Sequence, residues 1–441
     1  FVYHLASQRF LPRHEVFLQP PEDPPYQARW NSNCVQCHSV GGEPRHDLTS
    51  DRFATRVAEL GIACEACHGP GSEHVRMERD PLAREAGRDD HGIVNPARLS
   101  AERASELCGQ CHSYFVPREP ERWWQSGFAG RFRPGDALDP TRQVLDYERD
   151  RADADALLSS GLDSLFYTDG TIRVGGREWN GLSRSACFER GTGAGQASCL
   201  SCHRMHGGTR DDQLAHEGDS NAACATCHAA VASAGSSHTH HAPQSSGSEC
   251  VNCHMPHTTY ALFKAIRSHR ITRPLVDPAR GAAPNACNLC HLDQSLAWTA
   301  TWLSRWYGSV DPFRDSSRAS EKAALPPDER APHELALAAA LLHGNAAERV
   351  ILADRLAWDA ALAASGNGWQ APLLERALQD PYAAVRFVAR RSLSTLATRA
   401  PARPSAQSPP APPFAADYSL DPAVLERLRA TRDETPVRIA E

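Results

Sequence analysis

The rhythm of apolar positions along this 441-residue chain changes once, shortly after Tyr307. Downstream, hydrophobic residues recur every three or four positions over 333–343, 345–358, 372–379 and 383–396, the period of helices that bury one face. Asn345 stands where an N-cap belongs, and the four segments together predict a small helical module over 333–398. Residues 313–332 are charged and contain Pro, which reads as a linker. A second linker, rich in Ala, Pro and Ser, spans 399–417, and Asp421-Pro422 opens a short terminal helix within 418–441.

Upstream the pattern is broken. No apolar run reaches the roughly eighteen residues of a membrane span. Residues 121–190 scatter Trp123, Trp124, Phe128, Phe132, Tyr147, Phe166, Tyr167 and Trp179 among Gly, Pro and Asp. They predict turns, short helices and a small hairpin at Thr171–Val174. The expected class is mainly α with little β structure. Apolar segments this short need another filler for the interior of residues 1–312.

The cysteines supply it. With 15 Cys, the odd total excludes a purely paired disulfide framework. Fourteen of them fall in seven copies of Cys-x-x-Cys-His: Cys34, Cys37 and His38; Cys64, Cys67 and His68; Cys108, Cys111 and His112; Cys199, Cys202 and His203; Cys224, Cys227 and His228; Cys250, Cys253 and His254; Cys287, Cys290 and His291. Chance would give roughly 0.02 copies at these Cys and His frequencies. Two thiols three positions apart can add to the two vinyl groups on one edge of a haem, and the adjoining His then ligates the iron from below. Zinc could use the Cys pairs, but it gives no reason for a His after each of them. The sequence therefore predicts seven covalently attached haems c.

Motif starts lie 30, 44, 91, 25, 26 and 37 residues apart. The longest gap separates a three-haem part, 1–120, from a four-haem part, 191–312, with the aromatic-rich insert 121–190 between them. A body of about 310 residues has a radius of gyration near roughly 20 Å, so seven haems must be close neighbours and supply much of the core. Folding should depend on their attachment.

The opposite faces of the irons need ligands. Only Met77, Met205 and Met255 are methionines, so bis-His ligation is expected at most haems, which suits electron transfer. His206 and His257 each lie three residues beyond a motif His, an offset that points away from the local haem and reaches a neighbour. His74 follows a sharp turn at Gly69, Pro70 and Gly71, and His269 sits in an arginine-rich turn suited to haem propionates. His238, His240 and His241 form a cluster expected to give one or two ligands, with His241 the chosen donor. His4, His14, His46, His91 and His216 complete the candidates. Cys187 belongs to no motif and reads as a small buried thiol, with an intermolecular disulfide or a thiolate ligand as alternatives.

The net charge of -6 argues against a nucleic-acid partner. The chain opens at Phe1 with neither Met nor a basic-then-apolar leader and reads as a mature or truncated form. Covalent haem attachment requires delivery across a membrane, so the expected location is periplasmic or extracellular.

The segments CEACHGPGSEH, CLSCHRMH, CVNCHMPH and RSHRITRP, and PNACNLCH followed by a Trp-rich helix, resemble multihaem cytochromes related to nitrite-reductase partners and hydroxylamine oxidoreductase. The resemblance covers roughly residues 30–310. It is greatest to members with C-terminal helical repeats, and the stretch from Leu374 through Asp380-Pro381 to Leu393 resembles a HEAT-type repeat. It implies a mainly helical haem domain with haems stacked in close pairs, and His74, His257 and His269 as distal ligands. The chain departs from ammonia-forming nitrite reductases in having no Cys-x-x-Cys-Lys, and nothing marks the cross-linked Tyr of hydroxylamine oxidoreductases. An electron carrier is thus favoured over an enzyme, with redox proteins or other cytochrome subunits as partners. The alternatives are an oxidoreductase of small nitrogen or sulfur compounds at one open haem, and a subunit of an extracellular cytochrome filament or larger redox complex, in which form the chain could be a homo-oligomer.

Overall fold

A computed structural model describes residues 1–5, 8–23, 29–82, 92–127, 132–158, 161–209, 211–216, 220–277, 281–309, 344–399 and 432. The first linker, the helix expected over 333–343, and nearly all of the second linker and terminal helix lie outside these residues, as does His91. The chain divides into two compact units, 26–153 with 176–227, and 1–25 with 154–175 and 228 onward. The aromatic-rich insert is therefore shared between them, and the boundary at 227–228 falls inside the fifth motif.

The unit formed by 26–153 and 176–227 is built from short pieces. Its hairpins pair only two or three residues a side: Ser39–Val40 with Glu59–Leu60, His46–Asp47 with Arg52–Phe53, and Phe115–Pro117 with Arg142–Val144. The Ala101–Gly109 helix starts where the Ser100 hydroxyl accepts from the Arg103 N–H at 3.2 Å, and it buries Ala104 and Leu107. Pro120 at the first turn starts the helix Pro120–Ser126. Arg142 is fully buried, its guanidinium 4.9–5.4 Å from the ring centres of Phe115, Trp123 and Phe132. The aromatic faces replace part of the hydration that this cation gives up.

The other unit has a conventional apolar core. The Ala346–Arg355 helix packs on the Ala383–Ala397 helix, and Val350, Ile351 and Leu352 of the first and Val385 and Val388 of the second are all buried. Asn345 caps the first of these helices in a reciprocal box: its Oδ1 accepts from the Glu348 N–H at 3.1 Å, and Glu348 accepts from the Asn345 N–H at 2.8 Å. Between them stand the helices Asp359–Ser365 and Ala371–Ala377. Arg349 and Asp380, 1% and 4% exposed, form a two-bond ion pair of 2.7 and 3.2 Å. The Ala346–Arg355 helix also packs on the hairpin His257–Ala261 and Lys264–Arg267.

The secondary structure is mainly α, with strands of two to five residues among the described residues. The hairpin expected at Thr171–Val174 is present in minimal form, pairing with 165–167, and the Arg173 N–H reaches the Leu165 carbonyl at 2.8 Å. The Tyr167 N–H bonds the Thr171 carbonyl at 2.8 Å, and a single bridge joins Phe166 to Ile172. Asp169 accepts from the Thr171 N–H and Gly170 takes a positive φ, so the chain reverses sharply. No described helix is long and apolar enough to cross a membrane.

Candidate functional site

Six of the seven Cys-x-x-Cys-His motifs fold locally into one helical turn, and the fifth does so only as far as Cys227. The N–H groups of His38, His112, His203 and His291 each reach the carbonyl of the first Cys of their motif at 2.9 Å. Cys64–His68 and Cys250–His254 are single α-helical turns, and Cys227 bonds back to Cys224 at 3.2 Å. On such a turn, positions i, i+3 and i+4 share one face. Two thiols and an imidazole thereby project together, the donor set that haem c requires. Gly69, at φ 77°, ends the Cys64–His68 turn with a conformation that a side chain would strain, and sends the chain away from the motif.

Four motif histidines have Nδ1 already engaged. His68 meets the Val94 carbonyl at 2.7 Å, His203 the Asp212 carbonyl at 2.9 Å, His254 the Thr272 carbonyl at 2.8 Å, and His112 the Glu178 carboxylate at 2.7 Å. An acceptor at Nδ1 places the ring proton there and leaves Nε2 unprotonated for a metal.

Motif histidines also meet histidines from elsewhere in the chain. His68 and His206 have ring centres 5.9 Å apart, His254 and His238 6.4 Å, and His291 and His241 6.1 Å, with interplanar angles of 48°, 3° and 39°. A metal–imidazole bond of about 2.0–2.1 Å sets two rings on one metal about 6.3 Å apart between centres. All three separations fit an iron held between two imidazoles. The loop carrying His238 and His241 is held from the helix Leu296–Tyr307: the Tyr307 hydroxyl donates to the His238 carbonyl, and Trp306 stacks on His240 at 4.3 Å. Trp298, two turns earlier on that helix, lies 5.0 Å from His291.

Motifs distant in sequence converge. Cys37 lies beside Cys111, and Cys108 beside Cys199, so the third motif meets the first and the fourth. The sixth and seventh motifs are neighbours, with Cys253 near enough to Cys287 and Cys290 to add to the burial that pushes both thiols up. The Arg177 Nε is buried beside Cys111 without a hydrogen-bond partner, a donor that suits a haem propionate.

The remaining candidates are placed otherwise. Arg355 Nη1 donates to His257 Nδ1 at 3.1 Å, which leaves the ring proton on Nε2, and Trp358 lies edge-on at 5.8 Å. Burial, then the Arg355 and Arg267 cations, push His257 down to about 2, so it is neutral. His269 turns Nδ1 to the Arg267 carbonyl at 3.2 Å, and His74 sits half-buried on the helix Ser72–Arg79. His46 Nε2 pairs with Asp51 at 2.8 Å while its ring stacks on Phe53, so it is occupied. His4 packs near Phe263, and His14 and His216 are exposed. Cys187 is half-buried and burial raises its thiol, which disfavours a thiolate ligand.

Sequence reasoning missed the acceptors Glu178, Val94, Asp212 and Thr272, and the donor Arg355. None carries a local signal, because each meets its histidine across 9 to 98 residues of chain.

Two family models match parts of the chain. Residues 13–69 match cytochrome c554 and c-prime, and residues 192–233 match the doubled CXXCH motif. No curated protein matches. Among solved structures, the crystal structure of the outer cell wall cytochrome OcwA is 19% identical, with 84% of this chain and 77% of that chain covered and a TM-score of 0.42. Each family match spans two Cys-x-x-Cys-His motifs, the first and second in one case and the fourth and fifth in the other. Likeness and local chemistry agree on where the cofactor attaches, and the chain is accordingly a multihaem c-type cytochrome that binds haem c covalently through these motifs.

Proposed function

We propose that this chain is an exported electron carrier in which seven haems c, most of them bis-His, form a continuous conductor. The observation that carries the reading is the set of three histidine pairs at 5.9–6.4 Å, each joining a motif His to a His from another part of the chain. His206 would complete the haem of His68, His238 that of His254, and His241 that of His291. His74 and His269 remain as donors for other haems, whereas His257 would have to exchange its contact with Arg355 before ligating through Nε2.

When bound, haem would supply a one-electron ferric–ferrous couple, and a second imidazole on its iron would leave no coordination site for substrate. The protein's own task is to hold ligands and bring neighbouring motifs close, as at Cys37–Cys111 and Cys108–Cys199. This favours a carrier over an open-haem oxidoreductase. Covalent attachment of haem c supports a periplasmic or extracellular location. Redox proteins or further cytochrome subunits are the expected partners. The helices of 346–397, read as HEAT-like, and the Pro-rich tail would serve as docking surfaces. Kinship with nitrite-reductase partners and hydroxylamine oxidoreductase belongs to the same reading.

Electron paramagnetic resonance of the oxidised protein, with haem content by pyridine haemochrome, tests it. Seven haems per chain with only low-spin signals is the expected result. Fewer haems, or a substantial high-spin signal at neutral pH, would defeat it.

A further inference from the structure

Four consecutive residues grip the third motif. Arg177 Nη1 donates to the Cys111 carbonyl at 3.3 Å, and Glu178 accepts from His112 Nδ1 at 2.7 Å. The Trp179 N–H reaches the His112 carbonyl at 2.9 Å, and its indole lies so close to Gly109 that a Cβ there would stand 2.7 Å from the ring. Asn180 bonds both the N–H and the carbonyl of Tyr114, at 2.7 and 3.1 Å. The brace leaves His112 and Glu178 little freedom to separate.

This brace gives the third motif a partner unlike those of His68, His203 and His254. Their Nδ1 protons go to neutral backbone carbonyls, whereas His112 faces a carboxylate. An anionic acceptor draws the Nδ1 proton further, makes Nε2 a stronger donor and favours ferric over ferrous iron; its own charge acts in the same direction. Arg177 and Arg142 act in the opposite sense from beside the Cys37 and Cys111 sulfurs. Arg177, however, directs Nη1 to the Cys111 and Gly176 carbonyls, while Glu178 touches the imidazole itself.

We propose that Glu178 tunes the third haem, holding it at a lower reduction potential than the haems whose motif histidine meets a backbone carbonyl. Glu178 is a positioning residue acting through His112. The inference rests on the reading of His112 as an iron ligand, which haem content and the low-spin spectrum test separately.

The experiment is spectropotentiometric titration of haem-loaded parent, Glu178→Gln and Glu178→Asp proteins, with haem content measured on each. Gln keeps a carbonyl acceptor and removes the charge. The expected result is that a single component moves upward, with at least tenfold more ferrous haem at its parental midpoint, which is about 59 mV for one electron. The component should be among the lowest in the parent, and its low-spin g values should shift. Glu178→Asp, which keeps the charge at shorter reach, should move the same component less. Full haem loading with every component unmoved in Glu178→Gln overturns the proposal, as does an equal shift in both variants, which would mean packing alone. If Glu178→Gln loads haem poorly, Glu178→Asp decides: one component raised supports the proposal, and none raised or several raised together overturns it.

Discussion

Asn180→Ala probes the brace through stability. Asn180 is 4% exposed, and its amide accepts from the Tyr114 N–H at 2.7 Å and donates to the carbonyls of Tyr114 and Leu145 at 3.1 and 2.8 Å. Alanine removes all three bonds. The Tyr114 carbonyl keeps the Leu145 N–H at 2.9 Å, so the main loss falls on the Tyr114 N–H and the Leu145 carbonyl. At about 1 kcal/mol for each of these two, the expected cost is about 2 kcal/mol. Guanidinium unfolding of the haem-loaded protein, followed by far-ultraviolet circular dichroism, measures it. The midpoint should fall with the denaturant slope unchanged. Asn180→Asp should do no better, because it restores one acceptor, loses both donations and buries a charge. A cost below about 1 kcal/mol at unchanged slope would refute the assignment of Asn180 as the strut that fixes 177–180 against the third motif.

Three further outcomes follow from named contacts. His206→Ala should convert one haem, and no more, to a high-spin signal in electron paramagnetic resonance, because the 5.9 Å partner of His68 is lost. Arg349→Met should destabilise the helices of 346–397 by about 3 kcal/mol, the lower end for breaking a buried ion pair, because Asp380 keeps Arg432 and the Tyr382 N–H; thermal unfolding of parent and variant checks it. In protein made without haem, limited proteolysis should digest the motif-bearing segments and spare residues 346–397. Those helices bury side chains against side chains, whereas the motif segments are expected to rely on the cofactor to fill their interior.

The sequence by itself pointed to covalently bound haem c and to the motifs that would hold it. A thioether pair and a neighbouring His need only one helical turn, and that geometry is local, so seven repeated pentapeptides are legible without a fold. The helices over 346–355 and 383–397, and the Asn345 cap, were legible for the same reason: a 3.6-residue period and a capping residue act within a few positions. His206 and His241 stood out by offset and clustering, and the fold sets both beside motif histidines. The tertiary structure alone decided which histidine meets which. His238 joins His254 while its neighbour His240 stacks on Trp306, a choice made by a loop that a distant helix holds. His257 looked equivalent to His206, three residues past a motif, yet it faces Arg355 from 98 residues away. Glu178 and Arg142 left no trace in the sequence as partners of the haem motifs, because a carboxylate or a guanidinium acquires its role from what surrounds it. Covalent chemistry is written in adjacent residues, whereas ligand pairing and electrostatic tuning depend on distances that only a folded chain defines.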